Sequence, residues 1–485
     1  MSGLLDYIRR RRQRPFVRPW ALATPIAVLL VCLPLLRPLR HPGQVSTDEE
    51  LRLATIAALA EHQRGWTVPL ADRLAIDERL FAADSHLIRV NGRLYSDQPP
   101  MLAFLLSAPY RILHRMGYPL RDYSVLVPYL LTLIGSTLPA AAAGGLVYRM
   151  GRTFELARPW RAALAAAVVF GSGLVSYAVV LNPTVAAAAL VLGSMGSLLH
   201  LAASDRPSRG GGWLVIAGFC AALAATIDPW ACVFLLMLLI VIPAMRLPMS
   251  LRFGGVILYL LGAAPPILLH ATLTVPLTGN LLPGYMHPEL EVAAPRGVET
   301  AAAPIAEDDS NLDIGDEDDN GAGPSLWTSF WRGFDRLGMA LFGQHGLLVH
   351  FPVVVVGFGG MLAVMHRHWP TTTKLLAAVS AAALLIALLG YAASGRDASA
   401  GFANRDLIVF SPILFFWTGA WLRRSHHAAV WWIAGILLAF SIAVSLIGAT
   451  DPLPRDGYDR YTVAGALHNL FYPAGPTRTT AWAQP

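Results

Sequence analysis

The chain is poor in charge, in cysteine and above all in lysine. Only 14% of its 485 residues are Asp, Glu, Lys or Arg, well below the quarter or so that clothes a water-soluble globule. The three cysteines, Cys32, Cys220 and Cys232, all fall inside apolar runs. They read as small apolar fillers, with no disulfide framework and no metal-type spacing. Lys374 is the sole lysine, so the net charge of +6 is carried by arginine. Much of that arginine sits in short segments between apolar runs, a pattern that reports membrane topology and gives no footprint for nucleic acid. Missing as well are a Walker-type phosphate loop, a Gly-rich dinucleotide turn, a Ser-centred nucleophile elbow and paired histidines at metalloprotease spacing. Soluble nucleotide-driven chemistry loses ground accordingly.

What the chain has in abundance is apolar length. Hydrophobic residues make up 55% of it, and stretches of roughly 17 to 25 residues with almost no charge recur from end to end, long enough for a helix to cross a bilayer. The stretches are continuous and rich in Leu, Ala and Val, which favours helices over a barrel. The expected fold is therefore an all-α polytopic membrane protein. About eleven spans are expected, near 20–36, 124–147, 160–180, 183–203, 213–227, 229–245, 250–273, 346–365, 374–393, 407–421 and 428–447.

The basic run Arg9-Arg10-Arg11-Arg12, within the segment 1–19, sets the N-terminus in the cytoplasm and reads as the flank of a retained anchor. Arg149, Arg152, Arg246, Arg252, Arg367 and Arg423 then fall on the inside and the C-terminal tail 448–485 outside, in a plasma or inner membrane. This holds only if 101–113, apolar but broken by Pro109 and closed by Arg111, His114 and Arg115, lies in the interface without crossing. Two long external segments follow, 37–123 and 274–345, around a transmembrane domain of 20–447. The acidic stretch within 306–324 (Glu307-Asp308-Asp309, Asp313 to Asp319) reads as a solvated disordered insert. Its ligand order is wrong for a calcium hand.

Candidate chemistry sits in these external segments. Thr47-Asp48-Glu49-Glu50 opens an apolar-periodic helix just past the first span. Thr47 with Glu50 fits a capping box, and acids in a first turn suit the helix dipole. A rim carboxylate also suits general base work on a lipid-borne substrate. Asn91-Gly92-Arg93-Leu94-Tyr95 reads as a turn into an extended piece, and Asp97-Gln98-Pro99-Pro100 starts the interfacial helix. Arg405, in Gly401-Phe402-Ala403-Asn404-Arg405-Asp406, could neutralise a phosphate by bidentate bonds, snorkel, or pair with Asp406. Tyr285, His287, His345 and His350 lack the spacing for a shared metal and read mainly as interfacial or packing residues.

Together these segments resemble the GT-C class of integral-membrane glycosyltransferases, in the branch of protein O-mannosyltransferases and lipid A aminoarabinose transferases. The residues that carry the resemblance are Asp48-Glu49 after the first span, Tyr95-Ser96-Asp97-Gln98-Pro99-Pro100, Asn280-Leu281-Leu282-Pro283-Gly284-Tyr285, His345 to Pro352, and Gly401 to Arg405. The resemblance implies Asp48 as catalytic base with Glu49 as a tuning neighbour, and Arg93, Asp97, Gln98, Tyr285 and Arg405 around the substrate. It implies a polyprenyl-phosphate sugar as donor and an acceptor hydroxyl on a lipid, glycan or protein at the external face. No tightly bound cofactor and no nucleic acid are expected, and a divalent metal is left open. One departure stands out: relatives carry Lys or His where this chain has neutral Gln98, which leaves the phosphate to Arg93 or Arg405. The competing classes are a transporter or flippase for lipid-linked molecules, which mid-span charge would favour, and a catalytically silent envelope scaffold.

Overall fold

In a computed structural model, residues 19–36, 47–61, 87–90, 93–203, 210–245, 249–287, 326–343, 346–393, 402–403, 405–423, 427–450 and 452 are described. The basic run at 9–12, the acidic stretch 306–324 and the tail beyond 452 lie outside them.

The protein is helical nearly throughout. Helix α1 (Pro19–Leu35) is followed by α2 (Thr47–Glu61). A hairpin of β1 (Leu87–Val90) and β2 (Arg93–Ser96) follows, then α3 (Met101–Arg115). Next come α4 (Leu126–Phe154), α5 (Arg158–Gly171), α6 (Pro183–Ala202), α7 (Gly211–Ile227), α8 (Cys232–Ala244) and α9 (Met249–Thr278). The last are α10 (Leu326–Phe342), α11 (Val354–His366), α12 (Thr371–Ala393), α13 (Ser411–Phe416), α14 (Thr418–Leu422) and α15 (Ala428–Gly448). Each expected apolar stretch lies on one or more of these helices.

Five described helices are both long and apolar enough to cross a membrane: α4, α6, the Gly254–Thr278 part of α9, α12 and α15. Three more, the Trp20–Leu35 part of α1, α7 and Pro229–Ala244, are apolar but shorter. Two stretches read as single spans are interrupted. The one at 160–180 stops at Gly171 and turns through Gly173, whose φ of +79° only glycine takes freely. A Cβ there would meet the Phe351 ring at 2.5 Å. The one at 407–421 divides into α13 and α14 around Trp417, which is fully buried with Phe415 and Phe416.

Close backbone contact holds the bundle. Side chains at Gly218 of α7 and Gly262 of α9 would run into the carbonyls of Tyr259 and Val215, so each glycine lets the other helix in. Gly357 and Gly360 of α11 lie in the same way against the backbone of α13 and the α13–α14 junction.

The segment 101–113 forms a short amphipathic helix, α3, as its pattern predicts. Met101, Leu102, Ala103, Leu106 and Tyr110 are buried while Leu105, Ile112 and Met116 are exposed. Its buried face packs on α2, where Arg111 donates to the carbonyls of Leu59 and Ala60, both at 3.1 Å, and Tyr110 Oη to Glu61 at 2.8 Å. A cation on the last carbonyls of α2 satisfies groups the helix leaves open and complements its dipole. The acidic N-terminal turn of α2 is thereby held in place from its far end.

Candidate active site

Helix α2 points its first turn at the junction of several loops, and its side chains divide by direction. Glu49 is 3% exposed and accepts from the backbone N–H of Leu181 at 2.8 Å. Arg52, one turn on, donates to the carbonyl of the same residue. Residues three apart share a helix face, and this face grips the two backbone groups of Leu181, just ahead of α6. Asp48, a turn before Arg52, makes different contacts. Its Oδ2 is ion-paired with Arg405, and its Oδ1 accepts from the Gln98 amide at 3.1 Å.

Gln98 is oriented from both ends: Nε2 donates to Asp48 while Oε1 accepts from Arg52. Asp97 is buried, and its carbonyl accepts from the N–H of Tyr285 at 3.2 Å. That docking brings Pro283-Gly284-Tyr285 over the hairpin. A Cβ at Gly284 would sit 2.7 Å from Ile88 and 3.0 Å from the Cα of Asp97, so the approach needs glycine. His270 on α9 bonds the Leu281 carbonyl and His287 the Asn280 side chain, each at 3.0 Å, which anchors the same loop. His350 is wholly buried with Nδ1 on the Gly346 carbonyl at 3.0 Å and its ring edge-on to Phe402. Both contacts are packing roles, as its context predicts.

Arg405 begins the turn Arg405–Leu407 and lies among carboxylates. Burial would weaken its proton, but Asp48 and Asp406 more than reverse that, so its pKa is raised and it stays a cation. Arg52 is pushed down to about 10, chiefly by burial and against the pull of Asp48. Asp228, in the turn between α7 and α8, is pushed up to about 6 by burial and by Asp406, while Trp230 N–H, Thr184 and Arg405 pull it back. The sequence reading missed Arg52 and Asp228 as members of the cluster. Arg52 carried a signal, lying four residues beyond Asp48 on a helix; Asp228 carried another, as a lone acid between two apolar runs. Arg93 opens β2, paired with Val90, and its side chain lies outside the described atoms.

Beside Gln98 a partly open groove is lined by Thr55 and Leu59 of α2, Ile88 and Tyr95 of the hairpin, and Leu273 and Leu277 of α9. Its wall is mostly apolar, and Gln98, which lines it, is the residue it shares with the cluster just described. Among the described residues, no three His, Cys, Asp or Glu side chains are grouped so as to hold a metal ion. The arrangement offers a carboxylate base, a fixed cation in contact with it and an apolar slot alongside.

No protein-family profile and no curated protein sequence matches the chain. Solved structures do. The oligosaccharyltransferase of Archaeoglobus fulgidus in its apo form superposes over 97% of this chain and 62% of its own, at 12% identity and a TM-score of 0.50. The chain thus spans somewhat under two thirds of that enzyme's length. ArnT from Cupriavidus metallidurans bound to undecaprenyl phosphate superposes over 93% of this chain and 77% of its own, at 13% identity and a TM-score of 0.47.

Proposed function

We propose that this chain, which has the fold of the GT-C membrane glycosyltransferases, transfers a sugar from a polyprenyl-phosphate donor to a hydroxyl on a lipid, glycan or protein at the external membrane face. The observation that carries the reading is the contact of Asp48 with Arg405 and with Gln98, which lines a mostly apolar groove. A base for the acceptor and a cation for the leaving phosphate are the two groups such a transfer needs.

In this reading Asp48 takes the proton of the acceptor hydroxyl as its oxygen bonds to the anomeric carbon. The bond from that carbon to the phosphate oxygen breaks, and its electron pair leaves with the polyprenyl phosphate. Arg405 meets the phosphate charge, by contacts that are strong in a water-poor site. The same arginine neutralises Asp48 when no donor is present, so an arriving phosphate competes for it and frees the base. Tyr95 and the apolar wall of the groove suit a chain attached to a polar head. The transporter reading finds less support: the described site carboxylates and arginines collect at helix ends and in turns, and form no line along a span.

The test is sugar transfer by the purified protein in lipid from a panel of polyprenyl-phosphate sugars, with and without a chelator. Asp48→Asn keeps the size and loses the base. Transfer lost by at least about 100-fold in a folded variant is the expected result. Equal turnover would remove Asp48 as base, and no transfer by either protein would overturn the enzymatic reading.

A further inference from the structure

Gln98 has no charge to offer a phosphate, yet its amide is fixed more firmly than a surface glutamine would be. Arg52 holds its oxygen, and Arg52 is itself buried, with its other terminal nitrogen on the Leu181 carbonyl. Glu49 closes the arrangement by accepting from the Leu181 N–H at 2.8 Å. The amide therefore has one orientation, with Nε2 toward Asp48 Oδ1 at 3.1 Å. Turned over, it would set its oxygen against the carboxylate and its NH₂ against a guanidinium that has no acceptor.

We propose that Arg52 and Gln98 are positioning residues that act on Asp48 in series: the buried guanidinium fixes the glutamine amide, and the amide holds the base. The inference rests on the function proposed above for Asp48. Its physical content is that Oδ1 of Asp48 accepts from the neutral Gln98 amide while Oδ2 is paired with the Arg405 cation, and that Arg52 reaches Asp48 through that amide and through space. Release of Arg405 to a phosphate then leaves Asp48 aimed by Gln98 while restoring its basicity, which a cation at position 98 would suppress. Arg52 stands one residue behind the reacting groups and does not touch substrate. Among the described residues, the ionisable groups around the relay include Glu49 on α2, Tyr95 and Asp97 beside Gln98, Asp228 before α8, and Arg405 and Asp406, with Tyr177 near Arg405.

The experiment reads Asp48 directly. Full-length protein in nanodiscs is labelled with a hydrophobic carbodiimide, which reacts with protonated carboxyl groups, over a range of pH, and modification of the Asp48 peptide is followed by mass spectrometry. Gln98→Glu keeps the shape and the partner of Arg52 but places a carboxylate oxygen against Oδ1. The labelling midpoint of Asp48 is expected to move up by about one pH unit or more. Gln98→Leu should shift the midpoint in wild type and do so less in an Arg52→Met background, because without Arg52 the amide has no fixed orientation to lose. Midpoints unchanged by Gln98→Glu, or equal effects of Gln98→Leu in both backgrounds, would overturn the relay. These readouts need no turnover, so they separate its failure from failure of the transferase reading. Where transfer is measured, Arg52→Lys should lower kcat about 10-fold and leave KM for the donor within about twofold. A raised KM with unchanged kcat would make Arg52 a phosphate ligand and sink the positioning role.

Discussion

Asp228 is a buried carboxylate whose surroundings oppose its charge. Its pKa rises from an ordinary 3.8 to about 6, first by burial and then by Asp406. The folded protein therefore holds that proton more tightly than the unfolded chain. Its contribution to stability is fully present below about pH 4 and is lost as pH rises through about 6. Asp228→Asn stays neutral throughout and can still accept the Trp230 N–H. It should melt above wild type at about pH 8, by the equivalent of about 1–3 kcal/mol, and the gap should close near pH 4. A gap that is constant with pH would show that Asp228 is not titrating. Asp48 differs in that its charge is met on both oxygens, by Arg405 and by an amide. In the proposed reaction it is Asp48, so paired, that takes the acceptor proton.

Among the elements, the helix α11 offers a clean internal comparison. A methyl group at Gly360 would strike the backbone at Trp417, and at Gly359, the adjacent residue, it would meet nothing within 4 Å. Gly360→Ala should lower stability by about 1–3 kcal/mol through overpacking, whereas Gly359→Ala should be neutral or stabilising by up to about 1 kcal/mol through helix propensity. Thermal melting in detergent decides it, and equal effects at the two positions would mean that α11 does not lie against α13 and α14 as described. That 47–61 and 101–113 form helices was legible from their apolar periodicity; that the two pack on each other was not. That Arg111 reaches the Leu59 and Ala60 carbonyls was not legible, since a pattern gives a face and gives no partner for it.

For the whole molecule, the side of every later loop turns on whether α3 lies in the interface, as its sequence leads one to expect, or crosses. In a protein with Cys32, Cys220 and Cys232 replaced, a cysteine at exposed Asp122 should react with a membrane-impermeant maleimide from the external face of intact cells. One at exposed Arg152 should react only after permeabilisation. The opposite result at Asp122 would turn α3 into a crossing helix and invert the order.

The sequence by itself determined what is local. Apolar run length placed the helices, the Asn91-Gly92 pair marked a turn into the extended piece that begins at Arg93, and the apolar pattern of 101–113 with its trailing cations marked α3 as short and amphipathic. Hydrophobic periodicity and turn chemistry depend on neighbours along the chain, and so can be read from it. It also offered Asp48, Glu49, Gln98 and Arg405 as candidates one at a time, and passed over Arg52 and Asp228. Only the tertiary structure decided that Arg405 meets Asp48 across 357 residues of chain, that Gln98 bridges Asp48 to Arg52, and that Glu49 turns away to the backbone of Leu181. The breaks at Gly173 and Trp417 belong with these, because each is set by a ring or backbone from a distant segment. Such pairings arise from packing of faces whose partners no local pattern names, and a charged side chain near many carboxylates shows its choice only once the chain has closed around it.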